Sequence, residues 1–189
     1  MPTNIMFVGV GGQGTLLASK LLGRILLENG YDVKVSEVHG MSQRGGSVVT
    51  YVRCGDKVYS PIIDKGEADI IVSFELLEAA RWAEYLKEGG ILLTNTQKIN
   101  PMPVITGAAE YPRALEQKLA ALPIRLDAMD ALGLALQAGS AKAVNLVLLG
   151  RLSRYFHFTD EQWQDAIEKS VPARFLELNK KAFALGNEA

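Results

Sequence analysis

Metal-binding side chains are scarce in this sequence. It contains one cysteine, Cys54, and two histidines, His39 and His157, among 189 residues. A lone cysteine excludes an internal disulfide, and an iron–sulfur cluster held by this chain alone would need about four thiolates. The two histidines are far apart and have no partner at the spacing that zinc sites use. The sequence therefore predicts no metal site and no redox centre of the chain's own.

A recognisable catalytic set is also missing. No combination of serine, histidine and aspartate can be assigned from spacing, and no basic cluster near Cys54 in the sequence would make it a nucleophile. We interpret Cys54 as a buried or turn residue. The sequence thus assigns no catalytic residue and gives no support for autonomous hydrolysis.

An excess of charge and a long apolar run are absent too. The formal net charge is −1 and the lysines and arginines are scattered, which argues against a nucleic-acid partner. No apolar run approaches the roughly 20 residues of a membrane span, and the N-terminus lacks the pattern of a secretion signal. The hydrophobic share of 48% can build one core. We therefore expect a single domain over residues 1–189, located in the cytoplasm and without a membrane partner.

Glycine is concentrated directly after the first apolar run. Ile5–Val8 predicts a strand, and apolar residues recur at helical spacing from Leu16 to Leu26. Between them, Gly9, Gly11 and Gly14 match the G-x-G-x-x-G spacing in the strand-turn-helix context that the motif needs.

This glycine turn has two interpretations, which the sequence leaves open. The N–H groups at the start of a helix favour an anion, so the turn can be a binding site. Alternatively, it is the tight corner of a first βα unit with no ligand. The candidate binding residues of the turn are Gly9, Gly11, Gly12, Gln13 and Gly14.

A carboxylate follows the second predicted strand, Asp32–Glu37. Glu37 falls where a dinucleotide-binding fold places its ribose-binding acid, roughly 20 residues after the glycines. This spacing supports one alternative function, a self-contained NAD(P)-binding oxidoreductase. A nucleotide-binding regulatory module without catalysis is a second alternative.

The next segment is a polar, glycine-rich loop, the kind of segment that carries binding groups on a rigid scaffold. Arg44 can clamp a phosphate or carboxylate with its planar guanidinium, and His39 can pair with Glu37. The alternative without a ligand is a surface turn in which Arg44 is solvated. Further candidates for binding or for a subunit interface are Glu37, His39, Gly40, Ser42, Gln43, Arg44, Gly45 and Gly46.

The remaining pattern predicts an α/β protein. Ser47–Arg53 and Val58–Ser60, separated by a turn, predict a β-hairpin, which departs from a simple dehydrogenase pattern. We therefore expect a Rossmann-like three-layer sandwich with a mostly parallel sheet, an inserted β-hairpin and C-terminal helices. Further strands are predicted at Asp69–Phe74, Ile91–Asn95 and Ile124–Leu126, and helices at Thr15–Asn29, Glu75–Leu86, Ala114–Leu122, Ala128–Gln137, Ala141–Phe156, Thr159–Lys169 and from Pro172 onward.

The helix predicted at Ala141–Phe156 is apolar almost all round. Such a helix is buried, either in the core or against a partner, so self-association is an option. Asn145 lies among its apolar residues and should have a hydrogen-bond partner.

Three segments resemble a known family. The turn Gly9–Gly14, the segment Glu37–Val48 and the late segment Asn145–Gly150 are similar to the gamma subunit or domain of 2-oxoacid:ferredoxin oxidoreductases. Within that family, the form of Ser42–Gly46 and the single-domain length most resemble the short subunits of the indolepyruvate type. The resemblance covers nearly the whole chain.

The resemblance implies a division of labour between subunits. Enzymes of this family decarboxylate a 2-oxoacid on thiamine diphosphate, pass electrons through iron–sulfur clusters to ferredoxin, and form an acyl-CoA. The thiamine diphosphate and the clusters belong to a large partner subunit, and the gamma portion packs against it. The resemblance implies a chain that is inactive alone and holds no cofactor by itself. The glycine turn and Arg44 would then either bind coenzyme A or shape the subunit interface.

Overall fold

A central sheet organises the structure, a computed structural model that describes residues 3–39 and 46–189, with only the backbone of His39. Within the described residues the sheet has six strands in the order β2-β3-β1-β4-β5-β6. β3 is antiparallel to both neighbours and the other pairs are parallel, so the sheet is mostly parallel. The strands are β1 Thr3–Val10, β2 Asp32–His39, β3 Ser47–Gly55, β4 Ala68–Ser73, β5 Leu86–Asn95 and β6 Arg125–Met129.

Helices cover both faces of this sheet. One face packs against α1 and α5–α8, and the other against α2, α4 and the buried side chain of Ile63. This arrangement confirms the predicted three-layer α/β fold with C-terminal helices. The helices are α1 Thr15–Glu28, α2 Leu76–Trp82, α3 Met102–Ile105, α4 Leu115–Ala120, α5 Ala131–Ala138, α6 Val144–Ser153, α7 Asp160–Ser170 and α8 Leu176–Glu188, with 3-10 turns at Ala83–Tyr85, Ala141–Ala143 and Ala173–Phe175.

The central position of β1 in the sheet explains its continuous apolar sequence. Ile5 and Phe7 pack into the core under α1, whereas Met6 and Val8 pack into the core under α2. A strand buried on both faces needs a continuous apolar run rather than alternation. None of the described helices is long and apolar enough to cross a lipid bilayer.

The predicted hairpin of Ser47–Arg53 with Val58–Ser60 is wrong in its second strand. β3 instead forms the hairpin with the preceding strand β2, and its other edge pairs with β1. Val58 is buried and donates its N–H to the Asp32 carboxylate at 2.9 Å. The segment after β3 is therefore held by the Asp32 carboxylate rather than by pairing with a strand.

Four further boundaries differ from the prediction. α2 ends at Trp82 and β5 begins at Leu86, because the buried Leu86 already pairs with Ala68 of β4. α5 begins at Ala131, where the Asp130 carboxylate caps the helix. The last α-helix begins after a 3-10 turn rather than at the proline that precedes that turn. The predicted helix α7 opens with a capping box made by Thr159 and Gln162.

The apolar helix α6 is buried inside the protein. Every residue from Val144 to Ser153 except Arg151 is buried, and α5, α8, α1 and β5 surround it. Its apolar circumference therefore provides no face for self-association. Asn145 has the predicted partner, since its Oδ1 accepts the Leu146 N–H at 3.0 Å.

Two glycines allow α6 and α8 to pack closely. A Cβ on Gly150 would lie 2.0 Å from the carbonyl oxygen of Phe183, and one on Gly186 would lie 1.9 Å from that of Val147. Both contacts are with backbone, which a side-chain rotation cannot relieve. The two helices therefore depend on glycine at both positions.

Gly150→Ala should lower the free energy of unfolding by about 2 kcal/mol or more, because the methyl group must push two helix backbones apart. Gly23→Ala is the matched control, since a Cβ in that α1 position meets only Val35 Cγ2 at 3.7 Å. It should raise the free energy of unfolding by about 0.5–1 kcal/mol through helix propensity. Urea unfolding of both variants measures these changes. Equal effects of the two substitutions would contradict the close-packing argument.

Candidate binding site at the carboxyl edge of the sheet

The crevice between the ends of β1 and β4 is the topological switch point of the sheet. β1 leads into α1 on one face, whereas β4 leads into α2 on the other. The two connections diverge and leave a gap above the strand ends, where open α/β sheets bind their ligands. The predicted glycine turn lies on one side of this crevice.

Close contacts and backbone conformation both require the glycines of the turn. Gly12 and Gly14 have φ values of 99° and 88°, a left-handed conformation that side chains disfavour. A Cβ on Gly9 would lie 2.9 Å from Phe74 Cβ, and one on Gly14 would lie 2.8 Å from Asn145 Nδ2. The motif therefore serves first to bring the turn close to β4 and α6.

The side chain of Gln13 joins β1 to β4. Its Oε1 accepts the Val10 N–H at 2.8 Å, and its Nε2 donates to the Phe74 carbonyl at 3.0 Å. Asn95 Nδ2 donates to the same carbonyl at 3.1 Å, and Asn95 Oδ1 accepts the Ala131 N–H at 3.2 Å. Gln13 was predicted to contact a ligand, but both ends of its side-chain amide form hydrogen bonds within the protein.

The start of α1 faces a cavity. Gly14 occupies the N-cap position without a side-chain hydrogen bond, and no acidic residue lies in the first turn of the helix. The positive end of the helix dipole and its uncapped N–H groups therefore favour an anion. The cavity has a volume of about 410 Å³ and is lined by Gly11, Gly12, Gly14, Thr15, Leu16, Glu37 and Val48.

The structure brings Glu37 to this cavity, as the spacing suggested. Glu37 lies in β2, opposite Thr50 of β3, and β3 separates it from β1. Gly46 is also at the site, because its carbonyl accepts the Gly11 N–H at 2.9 Å. The candidates Gly40, Ser42, Gln43, Arg44 and Gly45, with the His39 side chain, lie outside the described residues. The Arg44 clamp and the His39–Glu37 pair remain predictions.

Two buried acids on the other side of the crevice were missed by sequence reasoning. Glu75 is 1% exposed and caps α2, accepting the Glu78 N–H at 2.8 Å. It also accepts the Ile99 N–H at 3.0 Å and the Tyr111 hydroxyl at 2.6 Å. Burial and the hydrogen bond to Glu75 raise the pKa of Tyr111. Glutamate is not among the favoured N-cap residues, so the sequence carried no signal for this role.

Glu78 is the second of these acids. Its carboxylate accepts hydrogen bonds from the Ser47 hydroxyl and from Trp82 Nε1, the latter at 3.3 Å, and pairs with Arg81 at 3.3 Å. Burial raises the pKa of the Glu78 carboxyl, although these donors oppose the effect. It borders a second cavity of about 290 Å³ that Val10 and Gly46 also line.

Cys54 is far from this edge, near the end of β3 and next to Thr3 at the start of β1. It is 3% exposed, and burial raises the pKa of its thiol. This confirms Cys54 as a buried residue. The described residues contain no cluster of three or more His, Cys, Asp or Glu side chains that could hold a metal ion.

Fold and site together define a doubly wound α/β protein with a glycine turn at the switch point of its sheet, and comparison with known proteins specifies the family. Residues 4–189 match the model of the pyruvate ferredoxin/flavodoxin oxidoreductase family. The chain is 46% identical over 191 residues to indolepyruvate oxidoreductase subunit IorB of Thermococcus kodakarensis, which covers 98% of this chain and 95% of that protein. The chain therefore belongs to the pyruvate ferredoxin/flavodoxin oxidoreductase family.

Two solved structures have the same fold. Pyruvate oxidoreductase subunit PORC of Thermotoga maritima superposes with a TM-score of 0.76 at 26% identity, covering 99% of this chain and 96% of that chain. The gamma subunit of a keto/oxoacid ferredoxin oxidoreductase from Geobacter sulfurreducens gives 0.74 at 25% identity, covering 98% and 96%. The family resemblance predicted from the motifs is confirmed, and the self-contained NAD(P)-binding enzyme is not favoured.

Gln13→Glu should lower the free energy of unfolding by about 2 kcal/mol, because a carboxylate oxygen would face the Phe74 carbonyl in place of a donor. Gln162→Glu is the matched control. Gln162 also accepts one backbone N–H and donates to one oxygen, but on the surface at the start of α7. Its substitution should change the free energy of unfolding by less than about 0.5 kcal/mol. Chemical denaturation compares the two, and equal losses would show that the Gln13 bridge carries no special role.

Proposed function

We propose that this chain is the small subunit of a cytoplasmic 2-oxoacid:ferredoxin oxidoreductase of the indolepyruvate type. The complete enzyme would oxidatively decarboxylate an aryl 2-oxoacid in the presence of coenzyme A, giving carbon dioxide and an acyl-CoA, with two electrons passed to ferredoxin. The observation that carries the proposal is the 46% identity to an indolepyruvate oxidoreductase subunit over nearly the full length of both chains.

A large partner subunit would hold the thiamine diphosphate and the iron–sulfur clusters. This chain has a single cysteine, and it is buried within strand β3 of the sheet. It therefore lacks the thiolates for a cluster, and ferredoxin would meet the complex through the partner. The role left for this chain is to bind a substrate group and to complete the assembly.

Within this proposal we take coenzyme A as the ligand of the crevice. Its phosphates would bind at the uncapped start of α1, where the glycine turn keeps side chains away. Leu16 and Val48 offer apolar walls, and the Glu37 carboxylate can accept a hydrogen bond from a ligand hydroxyl or amine at the far side.

The chain should co-purify with its large partner from native extract, and removing it should abolish the indolepyruvate-dependent reduction of ferredoxin by that partner. The isolated chain should fold but show no turnover, because it holds neither thiamine diphosphate nor a cluster. Restoring the chain to the depleted partner provides the control. Turnover by the isolated chain with any 2-oxoacid, or full activity without it, would refute the subunit assignment.

Leu16→Glu should raise the apparent KM for coenzyme A about tenfold at low salt, because it places a negative charge at the rim of an anion site. Leu16→Gln has the same length without the charge and should stay within about twofold of wild type. A glutamate in the first helical turn also suits the helix dipole, so Leu16→Glu should not unfold the chain. Steady-state assays of the assembled enzyme with increasing salt measure both. An identical KM in the two variants would exclude coenzyme A phosphates from this cavity.

A further inference from the structure

Glu78 lies in the first turn of α2 with 6% of its surface exposed. Its carboxylate is surrounded by the Ser47 hydroxyl, Trp82 Nε1 and Arg81 Nε. These groups come from two separate elements, since Ser47 begins β3 while the other two belong to α2. The carboxylate therefore links the helix after β4 to the strand that borders β1.

The helix does not need this carboxylate for its own start. Glu75 already caps α2 by accepting the Glu78 N–H. A buried carboxylate requires donors to offset its loss of hydration, and a well-packed apolar residue at such a position is often equally stable or more stable. The Glu78 carboxylate therefore serves to hold neighbouring groups in place rather than to stabilise α2.

A short chain of bonds leads from Glu78 to the candidate site. Ser47 follows Gly46 directly, and the Gly46 carbonyl accepts the Gly11 N–H at 2.9 Å. Gly11 and the next glycines line the cavity at the start of α1. Because Ser47 is held at its side chain by Glu78, the adjoining Gly46 carbonyl is fixed where it meets the glycine turn.

We infer that Glu78 is a positioning residue for ligand binding, which acts through Ser47 and Gly46 to set the glycine turn. The inference rests on the proposed function in taking coenzyme A as the ligand. Glu78 itself does not touch the ligand in this scheme. Its loss should weaken binding without slowing the reaction of the fully loaded enzyme.

The test compares Glu78→Leu with Glu78→Gln in the assembled enzyme. Leucine removes the acceptor and keeps the volume, whereas glutamine can still accept the Ser47 hydroxyl. Glu78→Leu should raise the KM for coenzyme A about tenfold and leave kcat at saturation within about twofold. Glu78→Gln should stay near wild type. Arg81→Gln, which removes the exposed ion-pair partner of Glu78 and leaves the bond between Glu78 and Ser47 in place, is the control and should not change this KM.

Ser47→Ala tests the same link from an exposed position, where folding is not at risk, and should reproduce the KM increase. An unchanged KM in Ser47→Ala, or an equal increase in Arg81→Gln or Glu78→Gln, would overturn the positioning role. If the positioning role is overturned in this way while the wild-type enzyme still requires coenzyme A for turnover, the proposed function stands. A wild-type enzyme that turns over independently of coenzyme A would instead overturn both.

Discussion

The bridge made by Gln13 is the interaction on which the candidate site depends. The sheet divides at β1 and β4, because their connections leave on opposite faces, and nothing in a parallel ladder holds the strand ends together beyond its last bond. Gln13 closes this gap by accepting a β1 amide and donating to the carbonyl that follows β4. The glycines around it allow the turn to approach closely enough for one side chain to reach both.

The other groups of the site lie on two sides of the Gln13 bridge. Behind it, Asn95 of β5 donates to the same Phe74 carbonyl and accepts the N–H of Ala131 at the start of α5, which connects the turn to the third parallel strand. In front of it, the first turn of α1 remains without a side-chain cap. An internally satisfied turn beside an uncapped helix start is a fixed set of backbone donors, and such a set binds an anion with little reorganisation.

The strands and helices that bury continuous apolar runs were predictable from the sequence, as β1 and β4 show. The family was predictable because its glycine turn, polar loop and asparagine-containing helix are all present. The partner of β3 was not, because a short apolar segment such as Val58 can either extend a sheet or cover it, and hydrophobic pattern is the same in both cases. The Glu75 and Glu78 contacts depend on residues distant in sequence, and Gln13 resembled a ligand contact because the motif does not reveal where its side chain points.

The antiparallel strand β3 has a consequence for the width of the crevice. In a dinucleotide-binding sheet the strand that carries the ribose-binding acid lies directly beside β1. Here β3 is inserted between them, which moves Glu37 one strand farther from the glycine turn, by roughly 5 Å. One inserted strand thus lengthens the distance between the glycine turn and the carboxylate on the far side of the cavity. A ribose placed as in a dinucleotide-binding fold would therefore lie about one strand spacing short of Glu37.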